Sequence, residues 1–261
     1  MRKIVVLLLV IICSHSCQIQ EEITFNKNGS GTYQMAFDMS EMMKMGDLND
    51  TLPSKPPVDS LITFATFLDE KKDSIALLPK EEREELEALR PLKFAMKMNE
   101  EEKQMKMNLI YDFESFEDIA KFAQAIEKAN IKELKELNNP MTGLNGEADL
   151  DSTDQDNGFS DVFSMAKQFN TSFNKKKFSR TITKEARAEA IAKKDTTIKQ
   201  DDPFVDMIRF KQVYRFPYKV KSVSNKNARI LSDFKGVEIE ANMYDLNNDP
   251  DYFNVEVEFE K

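Results

Sequence analysis

The sequence predicts an α+β fold: a curved, mainly antiparallel sheet built from hairpins, with helices packed on one face. Three observations carry this. Runs of alternating apolar residues come in pairs about short polar turns, as strands of hairpins do. Other stretches repeat their apolar residues at helical spacing behind recognisable caps. An apolar content of 41% supplies enough material for a core.

The first hairpin is expected from Glu22–Phe25 and Thr32–Met39 about the turn Asn26-Lys27-Asn28-Gly29-Ser30-Gly31. In its second arm Tyr33, Met35, Phe37 and Met39 share a face by the period of two. Ser40–Gly46 reads as a short helical turn, and the proline-rich stretch Leu48–Pro57 as a loop. Val58–Phe67 is β-branched and aromatic and is predicted as a strand. Leu68–Leu78 is helical in pattern. Pro79 opens a second helix, Lys80–Leu89, whose early Glu81 and Glu82 suit the positive end of the helix dipole.

The clearest hairpin is Leu92–Met98 with Met105–Phe113. Phe94, Met96 and Met98 alternate on one face, and Met105, Met107 and Leu109 do the same on the return. Ser115, with Asp118 three residues on, caps a helix whose stripe runs through Phe116, Ile119, Phe122 and on to Leu137. Asn138–Gly158 carries glycines, Pro140 and a run of acids and reads as an exposed linker. A third hairpin follows, Phe163–Phe173 with Lys177–Thr183, then an alanine-rich helix, Lys184–Lys194. Met207–Phe216, Tyr218–Ser224, Ala228–Ser232 and Gly236–Ala241 continue the sheet; Pro217 requires an edge or bulge. Asp245–Asp251 is expected to turn into a half-exposed final strand, Asn254–Glu260. The domain reading is therefore 17–138 and 159–261 as one composite domain, joined through an acidic linker at 139–158.

Residues 1–16 are read as a signal peptide. Arg2 and Lys3 form a basic start, and Ile4–Ile12 is an apolar run of about nine residues. That is a signal-peptide core, far short of the roughly 20 residues that span a bilayer. Small residues Ser14 and Ser16 then precede Cys17, as in a bacterial lipoprotein signal, with Ser14 where Leu is more usual. Cys17 is the predicted lipidation site, carrying acyl groups such as palmitate. Gln18, not Asp, follows it, so the expected location is the outer membrane, on its periplasmic or its cell-surface side. Gln18-Ile19-Gln20-Glu21-Glu22 reads as the start of the first strand and not as an acidic surface tag.

Composition removes several function classes. The net charge of −9 moves to −11 once Arg2 and Lys3 leave with the signal, and no basic cluster remains to hold nucleic acid or anionic lipid. His15 is the only histidine, Cys13 and Cys17 are the only cysteines, and there is no tryptophan. The mature chain therefore lacks the residues for serine–histidine–acid catalysis, cysteine nucleophiles, zinc sites and disulfides. No catalytic residue, metal site or cofactor is expected. Asp245, Asn247, Asp249 and Glu256 fall at the first, third, fifth and twelfth places of a calcium loop. Pro250, with its locked φ, stands where that loop needs glycine. The acids Asp149, Asp151, Asp154 and Asp156 lack loop spacing and read as solvated linker.

Methionine, at 14 residues, is the conspicuous apolar type. Met39, Met42, Met43 and Met45 cluster, and core filling explains them better than a Cu(I) site. Met96, Met98, Met105 and Met107, on one hairpin face with Phe94 and Leu109, form the candidate ligand-binding surface, a soft apolar face suited to an acyl chain. Tyr214, Arg215, Tyr218, Lys219 and Lys221 are a candidate basic–aromatic patch for a sugar or phosphate headgroup, against the plainer reading of an edge strand's solvent face.

Glu22–Tyr33 at the start, and Tyr214–Val223 with Ser232–Ile239 near the end, resemble uncharacterised lipoproteins of Bacteroidota and, more distantly, the LppM-type lipoproteins of mycobacteria. Those pair a strand–glycine-turn–strand start with an aromatic–Phe–Pro–x–x–Val strand near the end. The resemblance implies a curved antiparallel sheet tied to the envelope and a glycolipid connection; it carries no site residues. The expected function is a lipid-anchored envelope protein with a non-enzymatic binding or structural role toward a lipid or glycolipid. A surface module for a protein or polysaccharide is the alternative, and a carboxylate-dependent hydrolase stands third.

Overall fold

The computed structural model describes residues 17–45, 57–119, 121–122, 167–202 and 204–260. The expected signal peptide, the acidic linker and the helical stripe beyond Phe122 lie outside them.

The order is β1 (Cys17–Phe25), β2 (Gly31–Asp38), α1 (Ser40–Met45), β3 (Val58–Thr63), α2 (Phe64–Glu70), α3 (Lys72–Ile75), α4 (Lys80–Ala88), β4 (Leu92–Asn99) and β5 (Gln104–Phe113). The second half holds β6 (Phe169–Phe173), β7 (Lys177–Ile182), α5 (Lys184–Ala192), β8 (Ile208–Arg215), β9 (Val220–Val223) and β10 (Arg229–Ile230). It ends with β11 (Gly236–Asn242), α6 (Met243–Asn248) and β12 (Val255–Phe259). The α+β class is as expected: an eight-stranded sheet runs β10-β11-β8-β1-β2-β5-β4-β3. A separate four-stranded sheet, β6-β7-β12-β9, was not anticipated. Among the described residues every pairing is antiparallel except β1 with β8, which joins the two halves of the chain.

Local chemistry explains the hairpins. Asn26 N donates to Ser30 O (2.7 Å) and Gly29 takes φ +91°, a left-handed geometry that favours glycine. A Cβ on Gly31 would stand 1.9 Å from Thr24 O and 2.6 Å from the Phe113 ring, so β2 begins with the one residue that fits. Asn174 Oδ1 accepts from the Lys176 and Lys177 nitrogens and closes the β6–β7 turn.

Four segments differ from expectation, each for a local reason. The strand from Val58 stops at Thr63, whose extended backbone and hydroxyl, accepting from Thr66 N, start α2 at Phe64. The predicted helix at Leu68–Leu78 is thus the end of α2 and the short α3. β8 ends at Arg215, before Pro217, and Phe216 N bonds instead to Lys235 O (2.7 Å). Asp245–Asp251 is not a simple turn: α6 begins at Met243 because Asn242 and Asp245 form a complete capping box.

The inner face of the large sheet packs on the small sheet at one side and under helices at the other. Phe25, Phe173, Phe178, Phe216 and Phe259 interlock between the sheets, with Phe25 stacked 4.3 Å from Phe173 and Phe216 4.9 Å from Phe259. Over β5, Phe122 stacks on Tyr111 at 4.0 Å. Buried Phe64 and Leu68 of α2 join the same core cluster. The outer face is a ladder of exposed pairs such as Lys106–Asp38, Lys93–Asp112 and Arg215–Glu22. No helix among the described residues is long and apolar enough to cross a membrane.

Candidate functional site

Cys17 is the first residue of β1, an interior strand between β8 and β2, so the predicted acylation site stands at one end of the sheet with no tether between them. Its backbone N donates to Met207 O (2.8 Å), in line with the start of β8. An N-acylated cysteine keeps one amide hydrogen and can still make this bond. The side chain has the parity of Ile19, Glu21 and Ile23, faces the inside, and is buried.

The four predicted methionines come together as two cross-strand pairs, Met96 opposite Met107 and Met98 opposite Met105. Met105 and Met107 are buried, while Met96 and Met98 are half-buried. Register carries this ladder to Cys17. Gln18 faces Asp38, Met39 N donates to Met105 O (2.9 Å), Met105 faces Met98, and Met98 faces Val58. One transverse row at the end of the sheet therefore reads Cys17, Met39, Met105, Met98, Val58. The next inner row reads Ile19, Phe37, Met107, Met96, Ser60. α1 lies against β5 and β1 at this end, fixed by Met105 N donating to Ser40 Oγ (3.2 Å). At the β3 edge Ile62, on the same face, is 44% exposed, so the apolar face opens there.

The remaining sequence candidates separate. Asp245 spends its carboxylate on the Asn242 N–H (3.0 Å) at the start of α6, and Glu256 pairs with Lys177 on β12 (2.6 Å). The calcium-like spacing, already broken by Pro250, is thereby divided between a helix cap and a strand. Among the described residues no group of three or more acids, cysteines or histidines is placed to hold a metal. The basic–aromatic row does not form one patch. Tyr214 is buried in the core, Tyr218 packs on Phe173 and Phe259, Arg215 pairs with Glu22, and Lys221 pairs with Glu258. Met39 and Met43 pack against the core, as filling residues do. The acids at 149–156 lie outside the described residues.

Sequence reasoning missed a polar cluster sealed between the two sheets. Arg180 on β7 and Glu21 on β1 are both about 1% exposed and meet at 2.8 Å through Nη2 and Oε1. The guanidinium lies over the Phe169 ring at 4.6 Å and near the Tyr214 ring at 5.7 Å. Burial alone would pull the Arg180 pKa down; the attraction of Glu21 outweighs it and holds the cation charged. Burial, and then the Glu21 carboxylate, push the Tyr33 phenol well above its usual range, and burial also raises Tyr214. Tyr214 Oη donates to Gln212 Oε1 at 2.5 Å. Arg180 Nε and Nη1 and Gln212 Nε2 find no acceptor among the described residues. The missed signal was parity: Glu21 shares a face with Ile19 and Ile23, and Arg180 with Phe178 and Ile182, so each charge falls on its strand's apolar phase.

No family model matches the chain and no curated protein matches it, which leaves the expected kinship with Bacteroidota lipoproteins without support. A solved structure, the NMR structure of the LppM folded domain from Mycobacterium tuberculosis, is similar. Its TM-score is 0.35 at 10% identity, over 94% of this chain and 90% of that one. A likeness of that size adds nothing to the functional argument, which rests on the residues above.

Proposed function

We propose that this chain is a lipid-anchored protein of the bacterial outer membrane, acylated at Cys17, with a non-enzymatic role in binding a lipid or glycolipid. The observation that supports it is the inner row that runs from Cys17 through Met39 and Met105 to Met98. The soft apolar face and the anchor stand at the same end of one sheet. A membrane holding Cys17 therefore sits where an acyl chain would enter. Thioether side chains adapt to an irregular guest at little cost, and each methylene moved from water into such a face is worth about 0.8 kcal/mol. The gain holds against water and not against the bilayer, so the binding is read best with a short-chain, water-soluble phospholipid.

Native mass spectrometry with a short-chain phosphatidylethanolamine is the test. The protein is expected to carry one lipid adduct, and Met96→Glu to lose it, because a carboxylate on a half-buried site of that face repels the chain. Absence of an adduct at saturating lipid, or an adduct indifferent to Met96→Glu, moves the reading to a module for a protein or polysaccharide.

A further inference from the structure

Two exposed phenylalanines mark opposite ends of the large sheet. Phe204 is 65% exposed and Phe234 is 60% exposed. Phe204 stands at the Cys17 end: Met207 N donates to Phe204 O (3.1 Å), and Met207 O in turn accepts from Cys17 N (2.8 Å). Met243, 36% exposed, joins the same end, its N donating to Val205 O (3.4 Å). Buried Val205 pins the loop to the core, and Asp202 Oδ1 accepts from Phe204 N (2.9 Å), so the ring is presented by a held turn. Phe234 lies beyond the far end of β8, where Phe234 O accepts from Val220 N (2.7 Å) and Lys235 O from Phe216 N (2.7 Å).

We infer that the end of the sheet bearing Cys17, Phe204 and Met243 is seated on the phospholipid bilayer, with Phe204 and Met243 inserted among the head groups. The inference rests on the acylation of Cys17 proposed above. With β1 starting at the acylated residue, no linker separates the fold from the interface, so this end must meet it. The side chains there are those an interface accepts, an aromatic ring and a flexible thioether. The charges beside them are Asp201, Asp202, Asp206, Lys199 and Arg209, with Asp206 held by Arg209 (2.9 Å) and Asn242 (3.0 Å), and the β4–β5 turn at the same end of the sheet adds Glu100, Glu101, Glu102 and Lys103. Nothing in this set draws anionic lipid. The seat therefore forms on neutral phosphatidylcholine and is insensitive to salt.

The absence of tryptophan makes the test direct. Phe204→Trp and Phe234→Trp each create a single tryptophan, excited to the red of the tyrosine band, in the full-length, acylated protein, reconstituted into phosphatidylcholine vesicles with brominated acyl chains. Phe204→Trp is expected to be quenched by the brominated lipid and shielded from iodide, and Phe234→Trp to show the reverse. Met243→Trp repeats the reading if Phe204→Trp fails to fold by circular dichroism. Equal iodide access at both ends, in protein that floats with the vesicles and shows the acylated mass at Cys17, overturns the seat and leaves the anchor standing. Quenching of Phe234→Trp instead overturns the orientation. A protein with unmodified Cys17 that does not float overturns the anchor and the seat together.

Discussion

Replacing Arg180 by methionine tests whether the buried ion pair is a strict pairing between the two sheets. Glu21 and Arg180 are both about 1% exposed, and Glu21 has Arg180 as its cationic partner at 2.8 Å. Arg180→Met keeps the aliphatic volume and leaves a carboxylate sealed without its counter-charge. Loss of one member of such a pair costs about 3–5 kcal/mol. For a domain of this size each kcal/mol moves the thermal midpoint by roughly 2–4 °C, so the single variant should melt some 6–20 °C lower. The double variant Glu21→Leu/Arg180→Met removes both charges and also the unmet Arg180 Nε and Nη1 donors, each of which costs about 1–3 kcal/mol while buried. It should regain most of the loss and end near the parent stability or above it. Urea unfolding at pH 7, followed by far-UV circular dichroism, measures the parent, the single variants Arg180→Met and Glu21→Leu, and the double variant. An Arg180→Met loss below about 1 kcal/mol, or a double variant as unstable as the two single losses added together, would refute the reasoning. The first outcome would mean that Glu21 is already satisfied otherwise, and the second that the layer depends on the size of the arginine and not on its charge.

Three further outcomes follow from the same geometry. Asp38, Asp112 and Glu238 are partly buried, which raises their pKa, but hydrogen bonds outweigh this: Ser40 and Lys106 on Asp38, Lys93 and Thr32 on Asp112, Arg229 and Lys211 on Glu238. Their folded pKa values are depressed, so the stability they lend is complete above the ordinary carboxylate range and is lost as pH falls below about 4; the thermal midpoint should be flat from neutrality to that point and then drop, less steeply in high salt. Asn242→Ala removes the α6 cap and should cost about 1 kcal/mol in urea unfolding, while millimolar calcium leaves the parent midpoint unchanged, since Asp245 is committed to the cap.

Hairpins were legible because their information is local. Period-two alternation placed Tyr33, Met35 and Phe37 on one face, and polar turns fixed where each pair reverses. The methionine ladder followed from the same parity, and the register sets Met96 against Met107 as the alternation implied. The neighbour of a strand across the sheet is not local. The parallel pairing of β1 with β8, Cys17 against Ile208, has no signature in either segment, and neither does the separation of β6, β7, β9 and β12 into a second sheet. Once those two facts are in place the buried pair becomes visible. Arg180 and Glu21 each break their own strand's alternation, and each break is intelligible only with the other sheet in view. The start of α6 is local information: Asn242 and Asp245 stand three apart in capping-box order, a signal that shares Asp245 with the calcium-like spacing.

The parity of Cys17 also separates the two atoms that acylation would use. Its nitrogen points in the plane of the sheet to Met207, beside the loop that presents Phe204, whereas its sulfur faces inward, in the row of Met39, Met105 and Met98. An amide-linked chain and a thioether-linked group would then leave from different sides of β1. The first leaves where the exposed ring stands, and the second on the inner face, in the row that begins the methionine ladder. On the proposed acylation this divides the labour between the two halves of the anchor: the amide chain fixes the end of the sheet to the bilayer, and the thioether side lies against the surface offered to a bound lipid. The division makes the order of effects along the row the informative quantity. Met98→Glu, nearest the sheet end, should disturb both lipid uptake and the depth of a tryptophan at position 204. Met96→Glu, one row further in, should disturb uptake alone.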